Sequence, residues 1–183
     1  MASPAPQRMT LAEFLKWDDG TAQRYELIDG RVAAITPSGV AHSVIAANVG
    51  AAVAANLERA CYAGIGAGVV WPDRDDMYFQ ADLVVSCTPL EAGAVTIPKP
   101  VLIIEVLSPS TIEHDRGRKA YDYRRIESVR EIMLISSEQR HVVIWRRRGA
   151  KWEVEDLIGD AALEIEAVAI SIPLAMIYAD SGV

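Results

Sequence analysis

The sequence is short of cysteine, of long apolar runs and of positive charge, and each shortage argues against a class of protein. Its two cysteines, Cys61 and Cys87, stand alone, without paired spacing or a neighbouring histidine. They support neither a disulfide framework nor a zinc site, and they fit a reducing cytoplasm. The longest apolar stretches, such as Val49 to Leu57, fall short of the ~20 residues that span a bilayer, so no membrane partner is expected. No internal repeat is visible. Gly64-Ile65-Gly66-Ala67-Gly68 lacks the third-glycine spacing and the following Lys-Ser/Thr of a phosphate-cradling loop, and reads as a flexible strand or turn. Positive charge is the minority sign. Eighteen Lys and Arg against twenty-five Asp and Glu give a net charge of −7, which argues against a non-specific nucleic-acid coat or a polybasic membrane patch.

What remains is a soluble, cytoplasmic chain of 183 residues, 51% hydrophobic, long enough to bury a real core. Residues 1–8 form an expected disordered leader with neither a basic start nor an apolar segment, and 9–183 a single domain. Thr10-Leu11-Ala12-Glu13 is a capping box for a short helix. The segments 24–28 and 31–35 flank Asp29-Gly30, a strong hairpin signal. Ser38 can cap an Ala-rich helix from about Val40 to Ala60. A second hairpin is expected around residues 72–76. Strands follow over Val101–Leu107, Glu131–Ser136, His141–Arg147 and Lys151–Asp156, with a helix-compatible stretch from Glu113 to Ile126. The tail should hold a short strand and a helix starting near Pro173. Without strict βαβ alternation, the class is α+β, or mixed α/β.

Two carboxylates stand in unusual company. In Val101-Leu102-Ile103-Ile104-Glu105-Val106-Leu107, six apolar residues surround one glutamate, and continuous apolarity marks a strand covered on both faces. An unpaired carboxylate there would cost of order ~3–5 kcal/mol, so an arginine partner, a set of hydrogen bonds or a metal must compensate Glu105. Asp82, in Phe79-Gln80-Ala81-Asp82-Leu83-Val84-Val85, is similarly placed. If the two strands are neighbours, both groups stay ionised only with a cation between them, and hard oxygens suit magnesium, calcium or manganese. Glu26, just before the Asp29-Gly30 turn, is either a third member or a surface partner of Arg24 or Arg31. Lys119 is either an exposed helical partner of Asp115 or a cation that orients water and steadies charge on phosphate. His42 can bind a ligand or a metal, or merely cap its helix.

The series Arg-Tyr-Glu-Leu-Ile-Asp-Gly (24–30), His42, Ala-Asp-Leu-Val-Val (81–85), Ile-Glu-Val-Leu-Ser-Pro-Ser-Thr (104–111), Asp115-Arg116 and Lys119 followed by Tyr123 resembles the Uma-two family. That family is grouped with the restriction endonucleases, in the PD-(D/E)xK nuclease superfamily. The resemblance implies a restriction-endonuclease-like central mixed β-sheet flanked by helices, with an N-terminal β-hairpin. It implies a divalent-metal-dependent endonuclease hydrolysing phosphodiester bonds in nucleic acid, with DNA the expected substrate. Asp82 and Glu105 would hold Mg2+ or Mn2+, and Lys119 would replace the lysine normally two residues after the glutamate, where this chain has Leu107. Glu26 would be an additional acidic catalytic residue and His42 an accessory group. Two departures stand out. Ala81 replaces a proline, and Ile132 to Ser136 replaces a strand that ends in aspartate. The alternative is a nuclease-fold module without turnover that binds nucleic acid or a protein. A homodimer follows only by analogy.

Divided by segment, the charge tells more than its total. Residues 116–151 carry eleven basic and four acidic side chains, against seven and twenty-one elsewhere. Arg116, Arg118 and Arg124 are therefore the expected nucleic-acid contacts, and the triplet Arg146-Arg147-Arg148 is either part of that surface or a solvated strand end.

Overall fold

The computed structural model describes residues 8–108 and 114–183, with the side chains of residues 114–116 outside that description. The expected leader falls almost wholly on residues 1–7, outside the described residues. Near the amino end, helix α1 (Leu11–Phe14) is opened by the Thr10–Glu13 capping box, as the spacing predicts. Strands β1 (Tyr25–Ile28) and β2 (Arg31–Ala34) then pair through the turn at Asp29-Gly30, whose φ angles of 50° and 75° suit this dipeptide. Met9, Phe14, Leu27 and Tyr78 close a small core between α1 and this hairpin.

The body is a six-stranded sheet in the order β3-β4-β5-β6-β7-β8. Its strands are β3 (Tyr62–Val69), β4 (Phe79–Ser86), β5 (Pro100–Leu107), β6 (Glu131–Ser136), β7 (His141–Arg148) and β8 (Lys151–Ile158). Neighbours are antiparallel except β5 and β6, which run parallel, so the sheet is mixed. On one face lie α2 (Val40–Asn56), the β9 (Ala162–Ile165) and β10 (Ile170–Pro173) pair and α4 (Leu174–Ile177). Helix α2 buries Ile45, Val49 and Val53, a stripe at four-residue spacing, against Leu83, Leu102 and Ile104. On the other face, a wide helical turn (His114–Lys119) leads into α3 (Ala120–Tyr123), which packs Ala120 and Tyr123 on Phe79, Ile103 and Leu107. With apolar cover on both sides, β5 has the two-faced burial that its composition predicts.

Two expectations are corrected. Cys61 and Cys87 are joined in a disulfide, with the sulfurs 1.95 Å apart. The Tyr62↔Ser86 pairing of β3 and β4 sets the two cysteines opposite each other just beyond the strand ends, which chain spacing alone does not reveal. The cysteine argument for a reducing compartment therefore falls. Helix α2 is capped by Gly39, without a side-chain hydrogen bond, rather than by Ser38, and it ends at Asn56. The glycine-rich segment 64–68 belongs to β3, where Gly68 lets the Tyr78 ring lie so close that a Cβ would meet it at 2.5 Å. No helix among the described residues is long and apolar enough to cross a membrane.

Candidate active site

Strand β4 changes phase at Asp82. Phe79 and Ala81 pack on the α3 side together with Val84, whereas Leu83 and Val85 face α2. Strict alternation cannot give this pattern, so the facing slips by one residue between Ala81 and Leu83. Gly66, which the register sets opposite Asp82, has φ +58° and marks the matching slip in β3. Asp82 thus leaves the regular ladder where β4 also begins to part from β5, beyond the Leu83↔Ile104 pair.

Side chains replace the missing backbone bonds at this opening. The Val106 N–H donates to Asp82 Oδ2 at 2.8 Å, and the Asp82 N–H lies 3.3 Å from Glu105 Oε2. Each carboxylate is therefore strapped to the strand of the other. Glu105 is 4% exposed and Asp82 27%, so of this pair it is the aspartate that solvent reaches.

The lysine arrives from the wide turn before α3. Its Nζ lies 2.9 Å from Glu26 Oε1 and 3.3 Å from Glu105 Oε1, and 5.7 Å from the centre of the Phe79 ring. Glu26 Oε1 also accepts the Gln80 N–H at 2.9 Å, which ties the hairpin to β4. Tyr123 donates to Glu105 Oε1 at 2.7 Å, and its ring is fixed by stacking on Trp71 and an edge contact with Phe79. His42, in the first turn of α2, places Nε2 3.1 Å from Asp82 Oδ2. Glu26, Asp82, Glu105, Lys119 and His42 thus come from five separate elements into one place. Tyr123, which belongs to the series that carries the family resemblance, and Gln80, two residues before Asp82, join them.

The turn carrying Lys119 is held by its neighbour. Arg118 reaches Asp122 at 2.5 Å and Asp29 at 2.7 Å, and Arg74 also binds Asp29 at 2.7 Å. Hydrogen bonds from Arg74 and then Arg118 hold the Asp29 carboxyl below its ordinary value. Arg124 lies over the Trp145 ring at 4.1 Å and donates to the Ala120 carbonyl, and the Arg116 side chain lies outside the described residues. The triplet at the end of β7 is occupied elsewhere. Arg146 binds Glu131, Glu155 and Glu166, Arg147 caps the carbonyls of Arg124, Ile126 and Val129, and Arg148 pairs with Glu153 and Glu166. Arg146 faces Glu131, which pairs with Leu102, three residues along β5 from Glu105, or roughly 10 Å. The triplet is a strand end with its own carboxylates, well separated from the site.

Asp82 and Glu105 offer hard oxygen ligands, though among the described residues no three His, Cys, Asp or Glu side chains converge as a preformed metal site. Asp82, His42 and Gln80 open onto a cleft of about 390 Å³ that also includes Arg24 and the chain leading into α2.

Comparison with known proteins agrees with this architecture. Residues 11–175 match the model of the Uma2 family, whose description is "Putative restriction endonuclease". Two uncharacterized proteins of Synechocystis sp. are each 25% identical, one over 97% of this chain and 94% of its own length, the other over 86% and 92%. The crystal structure of a "putative nuclease belonging to DUF820" from Anabaena variabilis superimposes with a TM-score of 0.68 at 21% identity, covering 93% of this chain and 97% of that one. That likeness shows the fold.

Proposed function

From a chain that belongs to the Uma2 family, we propose a divalent-metal-dependent endonuclease that hydrolyses phosphodiester bonds in DNA. The observation that carries this reading is the meeting of Asp82 and Glu105 where β4 parts from β5, each strapped to the strand of the other, with the aspartate bordering the cleft. Two adjacent carboxylates, one held in the sheet and one reached by solvent, offer the hard oxygen donors that a divalent cation takes.

The residues fit such an ion. The donors are carboxylate oxygens, Asp82 Oδ1 has no partner among the described residues, and Asp82 borders the cleft. Mg2+ takes one or two carboxylates and fills its other positions with water and phosphate oxygens, so two protein ligands suffice. When bound, such an ion supplies a more acidic water and Lewis-acid support for the phosphate oxygens.

The chain's own groups do the rest. Val106 N–H and His42 Nε2 fix Oδ2 of Asp82 and leave Oδ1 directed by default to the ligand. Tyr123 and the Asp82 N–H hold Glu105 in one rotamer without spending a charge. Glu26 keeps Lys119 extended beside Glu105, where its ammonium offsets charge that grows on a phosphate during attack.

The purified protein should nick supercoiled plasmid with Mg2+ or Mn2+, and Asp82→Ala and Glu105→Ala should abolish nicking. Variants that cut as fast as the parent would remove the assignment. Calorimetry with Mn2+ gives an independent check, since heat that survives in both variants would place the ion elsewhere.

A further inference from the structure

Among the described residues, the mouth of the site contains a cation that no carboxylate engages. Arg24, immediately before β1, lines the cleft with Gln80, His42 and Asp82 and takes part in no ion pair among the described residues. Its Nε donates to Gln80 Oε1 at 2.7 Å. Its Nη2 rests over Gly66, where a Cβ would stand only 2.8 Å away. Its backbone is fixed as well, because the Arg24 carbonyl accepts the Ile35 N–H at 2.9 Å.

A solvated arginine needs none of this seating. An arginine anchored through one nitrogen, with the outer edge of its guanidinium left without an acid, is arranged to receive an anion with two donors. Gln80, its anchor, gives its backbone N–H to Glu26, so the seat is built directly onto the catalytic cluster. The cleft, at about 390 Å³, has room for one nucleotide unit rather than for a bare ion.

We propose that Arg24 is a substrate-positioning residue that binds a phosphate adjoining the one cut, so that the cleft bounded by the chain before β1, the chain leading into α2 and β4 holds one nucleotide of the substrate strand. This inference rests on the nuclease reading, and it adds the direction in which the strand leaves Asp82.

The test is fluorescence anisotropy of a 5′-labelled single-stranded oligodeoxynucleotide with the full chain, in Ca2+ in place of Mg2+, with the oligonucleotide checked for integrity on a gel. Arg24→Ala should weaken binding about tenfold and lower the salt dependence by about 0.7, the share of one single-strand phosphate contact. Arg31→Ala, which removes the same charge from the other strand of the hairpin, should leave both unchanged. Gly66→Ala keeps every charge but puts a Cβ where the guanidinium lies, so it should repeat the Arg24→Ala loss. Melting temperatures of the three variants separate this effect from misfolding.

Equal losses in Arg24→Ala and Arg31→Ala, or none in either, overturn the proposal, as does a parent protein that does not bind the strand. Binding that depends on Arg24 without any cleavage in Mg2+ or Mn2+ overturns the hydrolase reading and leaves this one standing.

Discussion

Asp82 and Glu105 exchange places in each other's strand: the aspartate accepts the N–H that follows the glutamate, and the glutamate accepts the N–H of the aspartate. The pair is therefore part of the sheet as well as part of the site, and substitutions should separate the two roles.

Asp82→Asn keeps an acceptor for the Val106 N–H and removes the charge. Stability should change by less than about 1 kcal/mol while plasmid nicking falls by more than about a hundredfold. Asp82→Ala also orphans the N–H and should cost about 1–3 kcal/mol more. Urea titrations beside nicking rates distinguish these outcomes.

Lys119→Met should behave in the opposite sense, losing stability first. It leaves Glu26 and Glu105 buried without their shared cation, a loss of about 3–5 kcal/mol by comparison with other broken buried pairs. Urea titrations of the variant beside the parent measure that loss.

Tyr123→Phe retains the ring that stacks on Trp71 and removes the hydroxyl that donates to Glu105. A hydrogen bond to a charged acceptor is worth about 1.5–3 kcal/mol, and thermal unfolding should show a loss of that size. The accompanying drop in nicking should exceed what the unfolded fraction explains, because Glu105 loses its orientation.

Alkaline stability should depend on Tyr178. Its hydroxyl bridges the Ser136 carbonyl and the His141 backbone, and burial pushes its pKa up to about 12. The folded value lies above the unfolded one, so the contribution is complete below about pH 10 and disappears as pH rises towards 12. Tyr178→Phe should be less stable at neutral pH and should lose less between pH 10 and 12, as circular dichroism melts across that range would register.

Reduction should destabilise the protein without stopping nicking. The Cys61–Cys87 bond joins residues 26 apart, and the entropy of closing such a loop corresponds to about 3.5 kcal/mol. It lies at the end of the β3–β4 hairpin away from Asp82. Melting with and without a thiol reductant gives the first quantity, and nicking rates under the same two conditions the second.

Much of this site is legible in the sequence, for a reason particular to Glu105. A charged residue inside a run of six apolar ones demands compensation wherever the strand lies, so its importance does not depend on tertiary detail. Asp82 follows by the same argument, and Glu26 from its distance to an unambiguous turn. The compensation itself is not legible, because Lys119 and Tyr123 meet Glu105 only after α3 docks on the sheet. The arginine triplet shows the converse. Its charge is plain in the sequence, yet Glu131, Glu155 and Glu166 that absorb it come from other strands and a later turn. The cysteines fail for a similar reason, since their meeting depends on the β3–β4 register.

The single parallel neighbour relationship in the sheet, between β5 and β6, has a consequence for how the lysine is delivered. A hairpin after Leu107 would reverse the chain at once and carry nothing back over Glu105. A parallel partner obliges the chain to travel the full length of the sheet before it re-enters at Glu131, and the described part of that return lays Lys119 and Tyr123 across the glutamate it has just left. The ammonium is thus supplied by the route of the chain rather than by the strand, and its reach is set by the length of the connecting segment. Lineages that shorten or extend that segment would have to find their positive charge elsewhere.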